Sequence, residues 1–415
     1  MQVEASSIGR LLASLPRLMT HAERLHRLTE LLAEWQALWR PLPFQHRQMP
    51  WASQYAELHR SLIALDEKTA IRLEANPFAA SELETWLPVA ELAALVRLPR
   101  FSADEATLPN RWGDHIGGRK WQQLEAFVRQ VKAKSRQAML EWCAGKGHLA
   151  RTLSRLHGNE VTALEWQAEL CEQGRQLAER QDVALTLIQQ DVMAPSVERW
   201  LDPQGHVVAL HACGDLHAQL LQLAANTGCD VTLAPCCYQR TAADRYRPLS
   251  QRGRQLAEAY DLQLRRDDLA LAVQETVTAP AAVSRQRERA NAWRLGFDLL
   301  QRDVHDCDRY LPVPSLAYGR MPAGFADFCR WAAREKGLTL PEHIDWEYWE
   351  ATGWRRLAEV QRLELVRHLF RRPLEIWLAL DRLMLLEEAG YRVTLGTFCE
   401  RELTPRNLLL RASRP

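Results

Sequence analysis

Three acidic side chains, Glu141, Glu165 and Asp191, each stand at the end of a short apolar run, the first two 24 residues apart. After Glu141 comes a small-residue turn, Cys143, Ala144, Gly145, Lys146 and Gly147, which opens directly into a helical pattern. Strand, tight turn and helix in that order make the cofactor corner of a Rossmann-like sheet. Gly145 and Gly147 suit such a turn because a residue without Cβ takes positive φ and lets a ligand approach its backbone. The turn departs from the dinucleotide pattern GxGxxG, since nothing after Gly147 supplies the third glycine. An acid ending the second strand is placed to accept both hydroxyls of an adenosine ribose. Gln190 and Asp191, ending the third, are placed to accept from an adenine amino group. Any one of these acids also suits a helix cap, but three strand ends in register call for a common ligand.

Two further strand ends carry reactive groups. Residues 206–210 empty into His211, Ala212, Cys213, Gly214 and Asp215, and residues 230–234 into Pro235, Cys236, Cys237 and Tyr238. In an open α/β sheet these ends converge on the ligand crevice. His211 and Asp215 are candidate bases and Tyr238 a candidate orienter; Cys213, Gly214, Pro235, Cys236 and Cys237 stand on the substrate side. For Cys236 and Cys237 a packing role is favoured over a chemical one, because free cysteine is commonly a small buried hydrophobe. No metal is expected: the nine cysteines include no CxxC pair, and His305, Asp306, Cys307 and Asp308, being consecutive, cannot all converge on one ion.

The elements that must position these residues divide the chain into four stretches. Residues 1–112 read as a helical accessory domain, with helices at 8–38, 55–65 and 83–96, the last capped by Ser81. Trp35, Trp39, Trp51 and Trp86 are read there as core. Residues 113–238 hold a helix to about 134 and five strands alternating with helices. Residues 239–372 form a mainly helical inserted cap, with strands at 262–277 and arginines at 285, 287, 289, 294, 355, 356, 362, 367, 371 and 372 that face either solvent or an anionic substrate. In residues 373–415, Pro373 opens a helix over 374–389, and strands follow at 391–399 and 407–412. Hydrophobic residues make up 47% and charged residues 25% of the 415, with a net charge of +1, so global disorder is excluded and no bulk field demands nucleic acid or membrane. No apolar run reaches the ~20 residues of a membrane span; residues 376–386 are interrupted by Asp381 and Arg382. With no signal peptide and no disulfide framework, a cytoplasmic protein is expected, and the arginine, alanine and leucine enrichment fits a bacterial one.

A helix and an antiparallel strand pair after five parallel strands is the seven-stranded ending of class I methyltransferases. The signatures then resemble one family in particular: CAGKGHLA its GKGxL turn, HACGDL its HxCGDL, APCCY its CCY, and TPRNLLL its terminal SPRN strand. That family gathers methyltransferase-like proteins of eukaryotes and bacteria, members with a glutathione-transferase-like helical region, and tRNA ribose methyltransferases. The resemblance covers residues 119–238 and 373–415. It implies that S-adenosylmethionine is the cofactor, its methionine end on Glu141, Ala144, Gly145, Lys146 and Gly147, its ribose on Glu165 and its adenine beside Asp191. It also assigns His211, Cys213, Gly214 and Asp215 to the fourth-strand signature and Cys236, Cys237 and Tyr238 to the fifth. Tyr238 replaces the histidine of the tRNA-modifying members, whose N-terminal zinc-binding cysteines are also missing. RNA is the favoured acceptor. A nucleotide-binding oxidoreductase and a non-catalytic adaptor that keeps the cofactor pocket are the alternatives, and oligomeric state is left open.

Overall fold

The computed structural model describes residues 19–79, 81–102, 108–114, 116–274, 281–316 and 319–415. Its centre is a seven-stranded sheet: β1 (Met139–Trp142), β2 (Val161–Glu165), β3 (Thr186–Gln189), β4 (His206–Cys213), β5 (Asp230–Cys236), β6 (Arg392–Thr397) and β7 (Leu408–Ser413). The order is β3-β2-β1-β4-β5-β7-β6, with β1 to β5 parallel and β7 antiparallel to both its neighbours. This is the class I methyltransferase sheet. β1 and β5 are buried along their whole length, as central parallel strands are, with Glu141, Asp230 and Thr232 buried among their apolar residues.

The helices, in chain order, are α1 (His21–Glu34), α2 (Gln36–Trp39), α3 (Ala56–Ile63), α4 (Glu67–Ala75), α5 (Val89–Val96), α6 (Gly118–Val128), α7 (His148–His157), α8 (Ala168–Arg180), α9 (Asp215–Thr227), α10 (Gln251–Ala259), α11 (Arg266–Leu271), α12 (Ala281–Val304), α13 (Phe325–Lys336) and α14 (Trp346–Glu388). α1 begins at a capping box in which Thr20 and Glu23 satisfy each other's backbone N–H. The part of the first expected helix before residue 19, and the side chain of Ser81, lie outside the described residues. The third expected helix is divided: Ser81–Leu83 is one 3-10 turn, and α5 starts afresh after Pro88. Trp39 and Trp51 are core, as expected, and Trp35 and Trp86 pack against it half-buried.

The largest departure from expectation is α14. It runs unbroken through Pro373, so the helix expected to open there is the second half of a 43-residue element. An interior proline costs ~3 kcal/mol. Leu374, Ile376, Trp377, Leu378, Leu380 and Leu383 on the following turns are all at most 1% exposed, and each such side chain contributes roughly 1.5–3 kcal/mol of burial. Packing therefore outweighs the local break. α14 is the spine that joins the sheet to everything else: α1, α3, α4 and α5 pack along it, as do α10 and α12. The N-terminal helices consequently share one hydrophobic core with the sheet.

The strands expected within residues 262–277 are absent from the described part of that stretch, where α11 forms instead and only a single bridge pairs Arg245 with Arg265. Of the arginines expected to face solvent or an anionic substrate, Arg294 donates to the Pro314 carbonyl and Arg372 to Glu375 and Asn407. Arg356 donates to the carbonyls of Pro43 and His46, Arg362 to Leu65 and Arg367 to Trp39, so three of them clasp the N-terminal segment onto α14. Arg285, Arg287 and Arg289 are exposed on α12. Among the described residues no helix is long and apolar enough to cross a membrane.

Candidate active site

The carboxyl ends of β1, β2, β4 and β5 meet as the strand order requires. Glu141, next to last in β1, is buried, and its Oε2 accepts from the Ala150 N–H in the first turn of α7 at 2.8 Å. A carboxylate at a helix N-terminus is favourably placed, so Glu141 ties the strand across the turn to the helix. Burial, outweighing that hydrogen bond and the nearby Arg151 and Lys120, pushes its pKa up to about 8. The turn between is anchored by the Ala144 N–H on the Leu164 carbonyl at 2.9 Å. Cys143 and Gly145 both have positive φ. Among the described residues a Cβ on Gly145 would meet nothing within 4 Å.

Glu165 is the hinge of the site. Its Oε2 accepts from Gly145 N–H at 2.9 Å and its Oε1 from Gln167 N–H at 3.0 Å. Two backbone donors fix the carboxylate in place, and each oxygen keeps a lone pair for a further hydroxyl. It lines a cavity of about 240 Å³ with Cys143, Leu164, Trp166, Gln167, Gln190, Asp191, Val192 and Leu216. Asp191 is exposed there, one oxygen taken by Met193 N–H at 2.9 Å. Gln190 donates to the Asp191 carbonyl and to Ser196 and accepts from Trp200, which leaves one lone pair on its amide oxygen. Burial raises the Cys143 thiol to about 12. A larger groove, of about 700 Å³, lies at the amino ends of β4 and β5 around His206 and Asp230, the end of such a sheet where ligands are not bound.

Trp166, Gln167, Val192 and Leu216 escaped the sequence reading. Trp166 and Val192 each directly follow a strand-end acid, a position that would have flagged them. Trp166 is 66% exposed, an unusual position for an indole unless something stacks on it. Leu216 belongs to the first turn of α9, and its carbonyl accepts from Trp142 Nε1 at 2.9 Å; only the fold brings it beside β2.

At the fourth strand, a bulge between Leu210 and Cys213 places three residues of β4 opposite two of β5. His211 occupies it with φ 70° and is turned outward, exposed. Its pKa is held below the usual 6.5, first by protein crowding around the ring and then by Lys120 and Arg406. α6, which carries Lys120, thus borders the cleft. Pro235, which has no N–H to give a ladder, lies on β5 opposite the bulge. Gly214 has φ 55° and a backbone N–H on the Cys236 carbonyl at 3.1 Å. Asp215 begins α9 half-buried and accepts from Ala242 N–H at 2.8 Å, tying the fourth strand end to the segment after the fifth.

Tyr238 does not stand in the cleft as an orienter. It is 1% exposed, edge-on to His217 and under the Arg382 guanidinium, whose carbon is 4.7 Å from the ring centroid. Burial pushes its phenol well up, and among the described residues its hydroxyl has no hydrogen-bond partner. Behind it, Arg382 Nε donates to His217 Nε2 at 2.7 Å, which fixes the Nδ1–H tautomer of His217 and directs that proton to the Ala212 carbonyl. Cys213, Cys236 and Cys237 form one sulfur cluster. Within it the Cys237 thiol lies below the ordinary range, through hydrogen bonds with Cys213 and Cys236 first and then Arg406 and Arg240.

Residues 119–244 match the family model of a methyltransferase domain. No curated protein sequence matches the chain. Among solved structures it is similar to a SAM-dependent methyltransferase from Geobacter sulfurreducens in complex with S-adenosyl-L-homocysteine, at 19% identity over 27% of this chain and 47% of that chain, TM-score 0.23. It is also similar to precorrin-6y C5,15-methyltransferase from Geobacter metallireducens, at 14% identity over 32% of this chain and 66% of that one, TM-score 0.25. A third is a glycopeptide N-methyltransferase complexed with S-adenosylmethionine, at 23% identity over 27% and 52%, TM-score 0.22. The alignment spans about half the length of the first of these. By sequence match and strand order, then, the stretch that carries the turn, the acidic strand ends and the fourth and fifth strand ends is a methyltransferase domain.

Proposed function

We propose that this chain transfers a methyl group from S-adenosylmethionine, with RNA as the acceptor. The observation that carries the cofactor reading is Glu165, a carboxylate preset by the Gly145 and Gln167 N–H groups at the mouth of a cavity flanked by an exposed indole. Its free lone pairs suit a ribose diol, Trp166 and Val192 suit an adenine face, and the backbone at Gly145 suits the methionine end. The cofactor supplies an electrophilic methyl on a cationic sulfur. What the chain adds is alignment of the acceptor in line with that methyl and removal of a proton where the acceptor requires it. His211, outward and exposed on the bulge, is the base in this reading, and Asp215 holds the loop against which the acceptor lies.

RNA is favoured by the exposed Arg285, Arg287 and Arg289 on α12 and by Arg240 and Arg406 beside Cys237, since guanidinium groups pair with phosphates bidentately. Methyl-labelled S-adenosylmethionine incubated with bacterial RNA, protein and small-molecule fractions tests this directly. Label in RNA is expected; label confined to another fraction replaces the acceptor, and label in none removes the activity. For the cofactor, Glu165→Ala is expected to weaken binding at least ~100-fold by calorimetry, since each of two ribose bonds to a carboxylate contributes roughly 1.5–3 kcal/mol. Unchanged affinity removes the ribose assignment.

Glu141 adds a pH dependence. Its folded pKa of about 8 lies above the carboxyl value of 4.5, so its contribution to stability is fully present below pH 4.5 and is lost as pH rises through about 8. Ionisation also places a negative charge near a cationic ligand. Affinity for S-adenosylmethionine is therefore expected to rise between about pH 6 and about pH 9, and in Glu141→Gln the calorimetric affinity profile should flatten across the same range.

A further inference from the structure

The three sulfurs at the ends of β4 and β5 are brought together by backbone that works against its own preference. Consecutive residues of a strand point to opposite faces, so Cys236 and Cys237 continued as strand would send their thiols apart. Cys237 instead takes φ 49°, and the bulge at His211, φ 70°, sets Cys213 directly opposite Cys236. Two non-glycine residues in the left-handed region cost of order 1–3 kcal/mol each. The product of that cost is one point of convergence: Cys213, Cys236 and Cys237 Sγ all lie within 4.8 Å of one another, with Cys213 and Cys236 at 3.7 Å. All three are free thiols.

We propose that Cys213, Cys236 and Cys237 are the three protein ligands of a single zinc ion, with its fourth position open to the cleft. Zinc–sulfur bonds of about 2.3 Å in tetrahedral geometry separate the sulfurs by about 3.8 Å. The Cys213–Cys236 pair already has that spacing, and the Cys237 sulfur lies within 4.8 Å of both. Three thiolates select a soft or borderline ion over magnesium or calcium. Each ligand must lose its proton on binding, and Arg240 and Arg406 stand close enough to Cys237 to stabilise the resulting negative charge. Among the described residues no fourth histidine, cysteine or carboxylate joins the set. Cys213 and Cys237 are only half-buried, so the unfilled side is reachable by water or an acceptor atom, the arrangement of catalytic rather than structural zinc. This reverses the expectation of a metal-free site: the spacing of the cysteines in sequence, without CxxC, hid a cluster that two strands assemble.

The test uses the full-length chain, purified reduced and passed through a chelating resin. One zinc per chain is expected by elemental analysis. Cobalt added to the stripped chain is expected to give a sulfur-to-cobalt charge-transfer band and the visible bands of a tetrahedral ion. Cys237→Ser should weaken zinc at least ~100-fold, the upper end of the cost of losing even an outer-shell partner, whereas Cys307→Ser, at an exposed cysteine, should not. The far-ultraviolet circular dichroism and thermal midpoint of the same samples report whether each variant is folded. No retained zinc with no cobalt spectrum overturns the site, as does a mass loss showing a Cys213–Cys236 disulfide or the absorption of an iron–sulfur cluster. The methyltransferase reading stands or falls separately, on cofactor binding by the metal-free chain.

Discussion

Gly214→Ala is expected to abolish methyl transfer and to destabilise the chain by about 3 kcal/mol or more. Gly214 sits at φ 55°, ψ −117°, where an L side chain is strained, and an added Cβ would lie 1.8 Å from the Arg240 carbonyl oxygen. That oxygen is main chain and is itself held by the Asp215 N–H at 3.0 Å, so no side-chain rotation relieves the overlap. Relief requires the segments after β4 and β5 to separate. That movement displaces Cys213 and Asp215 on one side and Cys236 and Cys237 on the other, all of the acceptor side at once. The cofactor cavity rests on β1, β2 and β3, with only Leu216 contributed from α9. Calorimetry is therefore expected to show S-adenosylmethionine binding weakened far less than turnover, alongside a lower thermal midpoint. Retained turnover would show that the two strand ends need not be in contact.

Asp381→Ala is expected to be the most destabilising single change in α14, at about 3–5 kcal/mol, the range for removing one partner of a buried charged network. Asp381 is fully buried and accepts from Leu249 N–H, Ser250 N–H, Ser250 Oγ and Tyr246 Oη. Removing it leaves four donors without an acceptor in a place that water does not reach. Glu388, one helical stretch later, takes the Gln251 and Arg252 N–H groups at 2.8 Å, so two carboxylates of α14 together satisfy the start of α10. The loss should appear as a lowered urea midpoint and as new proteolytic cleavage between β5 and α10. Asp381→Asn, which keeps one accepting oxygen, should lose less.

Asp381 and Arg382 illustrate where sequence reading stops. Along the chain they are two charges that interrupt an apolar run and exclude a membrane helix. In the fold they are the polar centre of the molecule, Asp381 holding α10 and Arg382 holding His217 and Tyr246. Which partners they have depends on residues more than 130 positions away. The same holds for Arg356, Arg362 and Arg367, whose type suggested anion binding and whose partners are backbone carbonyls of the N-terminal segment. Pro373 misled for a different reason: local propensity is worth ~3 kcal/mol, and a fully buried stretch of helix exceeds it. Tyr238, one residue past the cysteine pair, was assigned to the cleft by adjacency, yet a single left-handed residue at Cys237 turns the chain and buries it.

The sequence by itself determined the strand order's raw material and the cofactor corner. A continuous apolar run marked β4, because a central parallel strand is covered on both faces, and the acids at 141, 165 and 191 marked the ends of shorter runs at β1, β2 and β3. Those features are local, set by one strand and the turn after it. The tertiary structure alone decided which strand ends touch. The cavity wall from Leu216, the buried anchor of α14 and the meeting of Cys213 with Cys236 and Cys237 all arise from contacts between elements distant in the chain. Such contacts are fixed by packing and by a bulge of one residue, neither of which leaves a periodic trace in the sequence.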